Sequence, residues 1–185
     1  MEKTIRITIN GTGFAGGYTA QVYSMIPHKN GVDIQLSGVC SGHRENAESF
    51  AREHRIPKAF DSHADMIESL RPQIDNIACA NYAHGQYVKE SAGRGVGVIV
   101  LEKPPIIWPG YHSGNGTGGD AKPTTAETKK IETMAEFASV LDAVRKGGSK
   151  LLYAEDFVYF DGVRGLVQLL KQAMTAPGGK GRILY

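Results

Sequence analysis

Three glycines near the amino end have the spacing of a phosphate-binding turn. Gly11, Gly13 and Gly16 stand in the order G-x-G-x-x-G within the stretch Asn10 to Gly17. Each has a separate physical task in such a turn. The first permits a tight change from strand to helix. The second has no Cβ to hold a pyrophosphate away from the backbone, and the third lets the helix lie close on the strand. Free N–H groups of the first helical turn and the positive end of the helix dipole then face the phosphates. The turn therefore offers Gly11, Thr12, Gly13, Phe14, Ala15 and Gly16 as cofactor-binding residues. With 23 glycines in 185 residues, the spacing also fits a plain glycine-rich turn, and the elements on either side must decide.

Two further stretches fall where loops leave the carboxyl ends of strand-like runs, the edge at which open α/β sheets bind ligands. One is Cys40-Ser41-Gly42-His43-Arg44. A site for NAD places Asp or Glu here to grip the ribose 2′-hydroxyl, and the nearest acid is Glu45. Ser41 and Arg44 offer a hydroxyl and a guanidinium to a 2′-phosphate instead, which ranks NADP ahead of NAD. Arg44 as a solvated residue of a helix's first turn is the plainer alternative. The other stretch is a pair: Ala80-Asn81-Tyr82-Ala83-His84 ends one strand and Glu102-Lys103-Pro104 ends the next.

The elements that must position these residues alternate strand and helix. Lys3 to Asn10 reads as a strand, although its alternation of Ile with Arg, Thr and Asn is unusual for one buried on both faces. A helix over 14–27 follows, then a turn at 28–31 and a strand from Val32 to Cys40. The next helix, about Arg44 to His54, has Ser41 as a candidate cap and Ala47, Phe50 and Ala51 on its apolar face. Ile56 to Phe60 is a short extended piece. Ser62 starts a helix carrying Met66, Ile67 and Leu70, which stops before Pro72. Ile74 to Ala80 is a strand, 84–93 a helix, and Gly95 to Leu101 the most strand-like run. Residues 109–125 form a glycine-rich surface loop. A helix then runs from Thr125 to Arg145, with Ile131, Met134, Phe137, Ala138 and Leu141 on one side. A strand at 151–159, an amphipathic helix at 161–174 and a start of strand at Arg182 to Tyr185 complete the pattern. The repeat predicts right-handed crossovers and a doubly wound parallel sheet, the Rossmann fold.

With these elements in place, the sequence resembles the Gfo/Idh/MocA oxidoreductases, the glucose–fructose oxidoreductase and inositol dehydrogenase family. That family pairs an N-terminal glycine motif with a P-N-x-x-H turn and an E-K-P motif at about these separations. Here they are Gly11, Gly13 and Gly16, then Asn81 and His84, then Glu102, Lys103 and Pro104, with Ala80 where the family usually has Pro. The resemblance covers residues 1–105 and resumes around Leu152 to Phe160. It implies that Lys103 lies near the nicotinamide and the hydroxyl being oxidised, where it orients substrate and assists proton transfer. A lysine suits that task if burial or a nearby charge lowers its pKa. Pro104 biases Lys103 towards extended geometry and permits a cis bond. Glu102 is implied on the nicotinamide side of the cofactor, and Asn81 and His84 along the cofactor channel.

The resemblance also sets the expected organisation. Residues 1–158 form the NAD(P)-binding domain, and 159–185 begin a second domain whose remainder is expected to be missing. The implied reaction is hydride transfer between nicotinamide and a sugar- or polyol-like hydroxyl, and the chain alone is expected to bind cofactor with little turnover. The alternative is a non-catalytic dinucleotide-sensing or partner-binding module that presents residues 161–174. An exposed apolar face there would favour a homo-oligomer.

Composition excludes other classes. The chain is 41% hydrophobic and 22% charged, with a net charge of +2, so no strong field for nucleic acid or membrane is implied. No apolar run reaches the roughly 18 residues of a spanning helix, and a reducing cytoplasm is the default compartment. Cys40 and Cys79 read as small buried hydrophobes. A Cys79–His84 nucleophile lacks an orienting third group. His43, His54 and His63 lack metal-ligand spacing, so no metal is expected.

Overall fold

A computed structural model describes residues 3–26, 32–109 and 125–154. The elements are β1 (Lys3–Asn10), α1 (Phe14–Ser24), β2 (Val32–Cys40), α2 (Arg44–Glu53), β3 (Ala59–Phe60), α3 (His63–Leu70), β4 (Ile74–Ile77), α4 (His84–Gly93), β5 (Val98–Glu102), α5 (Ala126–Gly147) and β6 (Lys150–Ala154). A 3-10 turn at Asn81–Ala83 leads into α4. The chain divides into two units, Met1–Tyr153 and Ala154–Tyr185. The turn expected at 28–31, most of the loop at 109–125, the end of the strand expected at 151–159, and everything expected after it lie outside the described residues.

The six strands form one sheet in the order β3-β2-β1-β4-β5-β6. The pairs β1–β2, β2–β3, β1–β4 and β4–β5 all run parallel. This is the Rossmann order, with the chain reversing direction along the sheet at β1. The core lies on both faces. Ile9, Ala20, Val39, Phe50, Ala51 and Ile56 pack on the α1–α2 side. Met66, Ile77, Val88, Ile99, Leu101 and Val140 are among those on the other.

The polar residues of β1 have a structural reason. Thr8 is fully buried and donates to Asp75 Oδ1 at 2.7 Å. Ser91 Oγ donates to Asp75 Oδ2 at 2.6 Å, and His63 Nε2 lies 2.9 Å from the same oxygen. His63 Nδ1 meets Glu90 at 2.5 Å. A buried polar network thus ties β1, β4, α3 and α4 together, and Thr8, His63, Asp75 and Ser91 each find a partner within it. Burial pulls the His63 imidazole down, but Asp75 and Glu90 outweigh it and hold His63 above the ordinary histidine value.

Several boundaries and faces differ from expectation. α2 is capped at His43 rather than Ser41, and no side chain makes the cap bond. Ser62 does cap α3, accepting from the Asp65 N–H at 3.2 Å. The strand expected over 74–80 ends at Ile77, because the chain turns into the 3-10 segment. The apolar side expected for α5 faces outward: Ile131 and Met134 are about 60% exposed. The helix buries Val140 and Val144 instead. It approaches α4 so closely that a Cβ on Gly147 would overlap the Ala92 backbone, and Glu136 pairs with Lys89 at 2.8 Å. That contact selects the stripe one position away from the more apolar one.

Candidate cofactor-binding site

Strand order decides what meets at the carboxyl edge. β1 lies between β2 and β4, and β5 lies beyond β4. The glycine turn after β1 is therefore flanked by Ser41 after β2 and by Cys79 and Ala80 after β4. Glu102, Lys103 and Pro104 follow one strand further on. Two backbone bonds pin the turn: Gly11 N–H donates to Cys40 O at 2.9 Å, and Ala78 N–H to Asn10 O at 2.8 Å.

Each glycine stands where its spacing requires. Gly11 has φ +122°, a conformation that disfavours an L side chain, and a Cβ there would run into the Ala78 backbone. A Cβ on Gly16 would overlap the carbonyl of Gly11, while one on Gly13 would meet nothing within 4 Å. The outer two glycines thus allow backbone to approach backbone, and the middle one faces open space. Gly13 is also the N-cap of α1, where no side chain makes the cap bond. The first amides of a helix have no acceptor within the helix, so this end presents donors and positive dipole to the space above Gly13.

That space is a cleft of about 490 Å³ lined by Asn10 to Ala15, Ser41 to His43, and residues after β4 that include Cys79, Tyr82 and Tyr87. An open backbone-lined cradle with uncapped helix amides fits a dinucleotide pyrophosphate. A larger hollow of about 870 Å³ lies at the amino ends of β4 and β5, between Arg71, Gln73, Arg94 and Gly97. It is at the wrong edge of the sheet for the ligand of a doubly wound fold.

The structure divides the expected site residues into groups. Gly11, Thr12, Gly13, Phe14, Ala15 and Ser41 line the cleft, and Thr12 Oγ1 reaches Ser41 Oγ at 3.4 Å. Gly16 is buried beneath it. Arg44 is exposed at the start of α2 and outside the lining, with its guanidinium 2.8 Å from Glu48 and 3.9 Å from Asp61. Asn81 lines an adjoining hollow of about 380 Å³ with Tyr82, Gln86, Lys89 and Ile106. Glu102 ends β5, and Lys103 is half-buried after it.

His84 is fully buried and is not among the residues that line the cleft. Its Nδ1 lies 2.8 Å from Pro104 O and its Nε2 3.2 Å from Cys79 O. Both ring nitrogens thus face backbone carbonyl oxygens. The ring bridges the loop after β4 and the turn after β5. The Lys103–Pro104 peptide is cis. Cys79 is no partner for His84 through sulfur, and burial pushes the thiols of Cys40 and Cys79 up to about 12. Among the described residues no three His, Cys, Asp or Glu side chains gather as metal ligands. No helix among them is long and apolar enough to cross a membrane.

Sequence reasoning passed over Asn10, His43, Tyr82 and Tyr87 as lining residues. Only Asn10 carried a signal, an amide where a strand buried on both faces expects an apolar side chain.

Residues 5–109 match the family model of the Gfo/Idh/MocA oxidoreductases, described as an oxidoreductase family with an NAD-binding Rossmann fold. The chain belongs to the Gfo/Idh/MocA family. No curated protein matches it in sequence. Solved structures show the same fold at low identity. An NAD-binding oxidoreductase from Klebsiella pneumoniae aligns with TM-score 0.71 at 16% identity, over 92% of this chain and 39% of that one. Scyllo-inositol dehydrogenase from Lactobacillus casei with bound NAD(H) and scyllo-inositol aligns with TM-score 0.70 at 16% identity, over 92% and 42%. Biliverdin reductase from Synechocystis sp. with biliverdin and NADP+ aligns with TM-score 0.64 at 18% identity, over 91% and 43%. The Gfo/Idh/MocA chain described here spans about two fifths of the length of these structures.

Proposed function

We propose that the chain binds a nicotinamide dinucleotide in the cleft above β1 and serves hydride transfer to or from a sugar- or polyol-like hydroxyl. The observation that carries this reading is the cradle. Gly11 and Gly16 sit where a Cβ would strike backbone, Gly13 opens on free space, and the α1 amides face that space. The amides of this turn would hold the pyrophosphate.

The cofactor favoured is NADP. β2 ends at Cys40 and Ser41 follows it, with no acid there to grip a ribose 2′-hydroxyl. Arg44 is solvent-exposed, and its pair with Glu48 is of the weak surface kind. It can turn from Glu48 to a 2′-phosphate at small cost, with Ser41 as a second donor. Bound nicotinamide would supply the hydride acceptor or donor.

The remaining roles belong to the loops after β4 and β5. Lys103 is the catalytic residue in this reading: it holds the substrate hydroxyl and assists transfer of its proton. Glu102 and Asn81 border the nicotinamide side. His84 is a positioning residue, since its bond to Pro104 O holds the turn that bears Lys103. One ammonium does not hold a substrate at near-attack distance. The 185-residue chain by itself is therefore proposed to bind cofactor with little turnover.

Titration of the chain with NADPH and with NADH, followed by nicotinamide fluorescence, tests the reading. Saturable binding, tighter for NADPH, is expected. Absence of saturable binding for both overturns it.

A further inference from the structure

The last residue of β1 carries a donor that the protein does not use. Asn10 is 2% exposed, and its Nδ2 is a buried side-chain nitrogen with no hydrogen-bond partner. Its surroundings explain why. Its register neighbours are Cys40 on β2 and Ile77 on β4, neither of which has a side-chain oxygen. The backbone acceptors nearby are already engaged: Asn10 O takes the Ala78 N–H and Cys40 O takes the Gly11 N–H. Two residues back on the same face of the strand, Thr8 meets Asp75. At the Asn10 amide nitrogen no such partner is present, and Asn10 is among the residues that line the cleft at the glycine turn.

A buried amide donor left unpaired is a standing cost to the folded protein. A valine or isoleucine there would avoid that cost and suit a strand buried on both faces. We propose that Asn10 is a cofactor-binding residue, its amide N–H donating to a phosphate or ribose oxygen of the dinucleotide from the floor of the cleft. The inference rests on the cofactor reading above and adds a contact outside the glycine turn itself. It also assigns the polar end of β1 a purpose that the fold does not supply.

The assignment makes stability and binding move in opposite directions. Asn10→Val removes the unpaired amide and keeps a strand-forming shape, so the free chain should melt higher by about 2–4 °C. The same variant should bind NADPH and NADH about 10- to 100-fold more weakly, the worth of a hydrogen bond to a charged acceptor. Asn10→Thr has nearly the shape of Val and retains an O–H donor, so it should bind more tightly than Asn10→Val. Asn10→Asp separates the two acceptors. Its carboxylate should weaken binding beyond Asn10→Val if the acceptor is a phosphate oxygen, and restore it if the acceptor is a ribose hydroxyl.

Several results would overturn the assignment. A lower melting temperature or failure to fold for Asn10→Val means that the amide already has a structural partner. Wild-type binding that Asn10→Val leaves within about twofold removes the contact but spares the cofactor reading. No saturable binding by the wild-type chain removes both.

Discussion

Replacing the three glycines of the turn one at a time separates a fold defect from a binding defect. At Gly16 a new Cβ overlaps the Gly11 carbonyl, and at Gly11 it overlaps the Ala78 backbone. Neither obstacle is a side chain that can swing away. Forcing an extra group into such packing costs about 1–3 kcal/mol. At Gly11 the positive φ adds about 1–3 kcal/mol of backbone strain. A chain of this length loses about 2–4 °C of melting temperature per kcal/mol. Gly16→Val should therefore melt about 2–12 °C lower and Gly11→Val lower still. Gly13 is different. Its φ of −83° and ψ of −167° suit any residue, and its Cβ direction is open. The loss at the N-cap is about 1 kcal/mol or less, so Gly13→Val should melt within about 4 °C of wild type. Its side chain would nevertheless fill the space proposed for the pyrophosphate and abolish dinucleotide binding. Thermal melts and NADPH fluorescence titrations on the three variants read both effects. Gly13→Val binding like wild type would remove the pyrophosphate from the space above Gly13, and melting as low as Gly16→Val would show that space to be packed.

Other predictions follow from the same geometry. His63 titrates above the value of about 6.5 for an unfolded histidine, so its contribution to stability is fully present below that pH and drains as pH rises through the folded value. Urea unfolding between pH 6 and 8 should show this decline in wild type and a flatter profile in His63→Leu, whose stability should fall by about 3–5 kcal/mol because Asp75 and Glu90 lose their buried partner; an unchanged slope contradicts the assignment. Arg44→Ala should narrow the preference for NADPH over NADH without moving the melting temperature, and equal loss for both cofactors would place Arg44 elsewhere. Cys40 and Cys79, with thiols pushed up to about 12, should react with iodoacetamide at pH 8 far more slowly in the folded chain than in urea. Rapid labelling of either native thiol, read by mass spectrometry, would show the environment to be wrong.

The features legible in the sequence were local ones. The glycine spacing, the flanking strand and helix, the helix start at Ser62 and the strand–helix alternation all depend on neighbours within a few residues. The misread features depend on distant partners. Thr8 looks out of place in β1 until Asp75, 67 residues away, is seen to accept its hydrogen bond. The buried face of α5 is set by close approach of Gly147 to Ala92 and by the Glu136–Lys89 pair, so the stripe of Ile131, Met134 and Leu141 lost to a less apolar one. His84 carried a motif position but no sign that its ring would be enclosed between two carbonyls. Asn10 was visible as an odd residue, yet its unpaired amide became evident only with the register of β2 and β4.

The dinucleotide is proposed to bind in the cleft at the carboxyl edge and not in the larger hollow at the opposite edge. Two-dimensional amide NMR of the labelled chain during NADPH addition tests it most directly. Saturable shifts are expected at Gly11, Gly13, Ala15 and Ser41, with Gln73, Gly95 and Gly97 unmoved. Shifts confined to Gln73, Gly95 and Gly97, or none at the glycine turn, would contradict it.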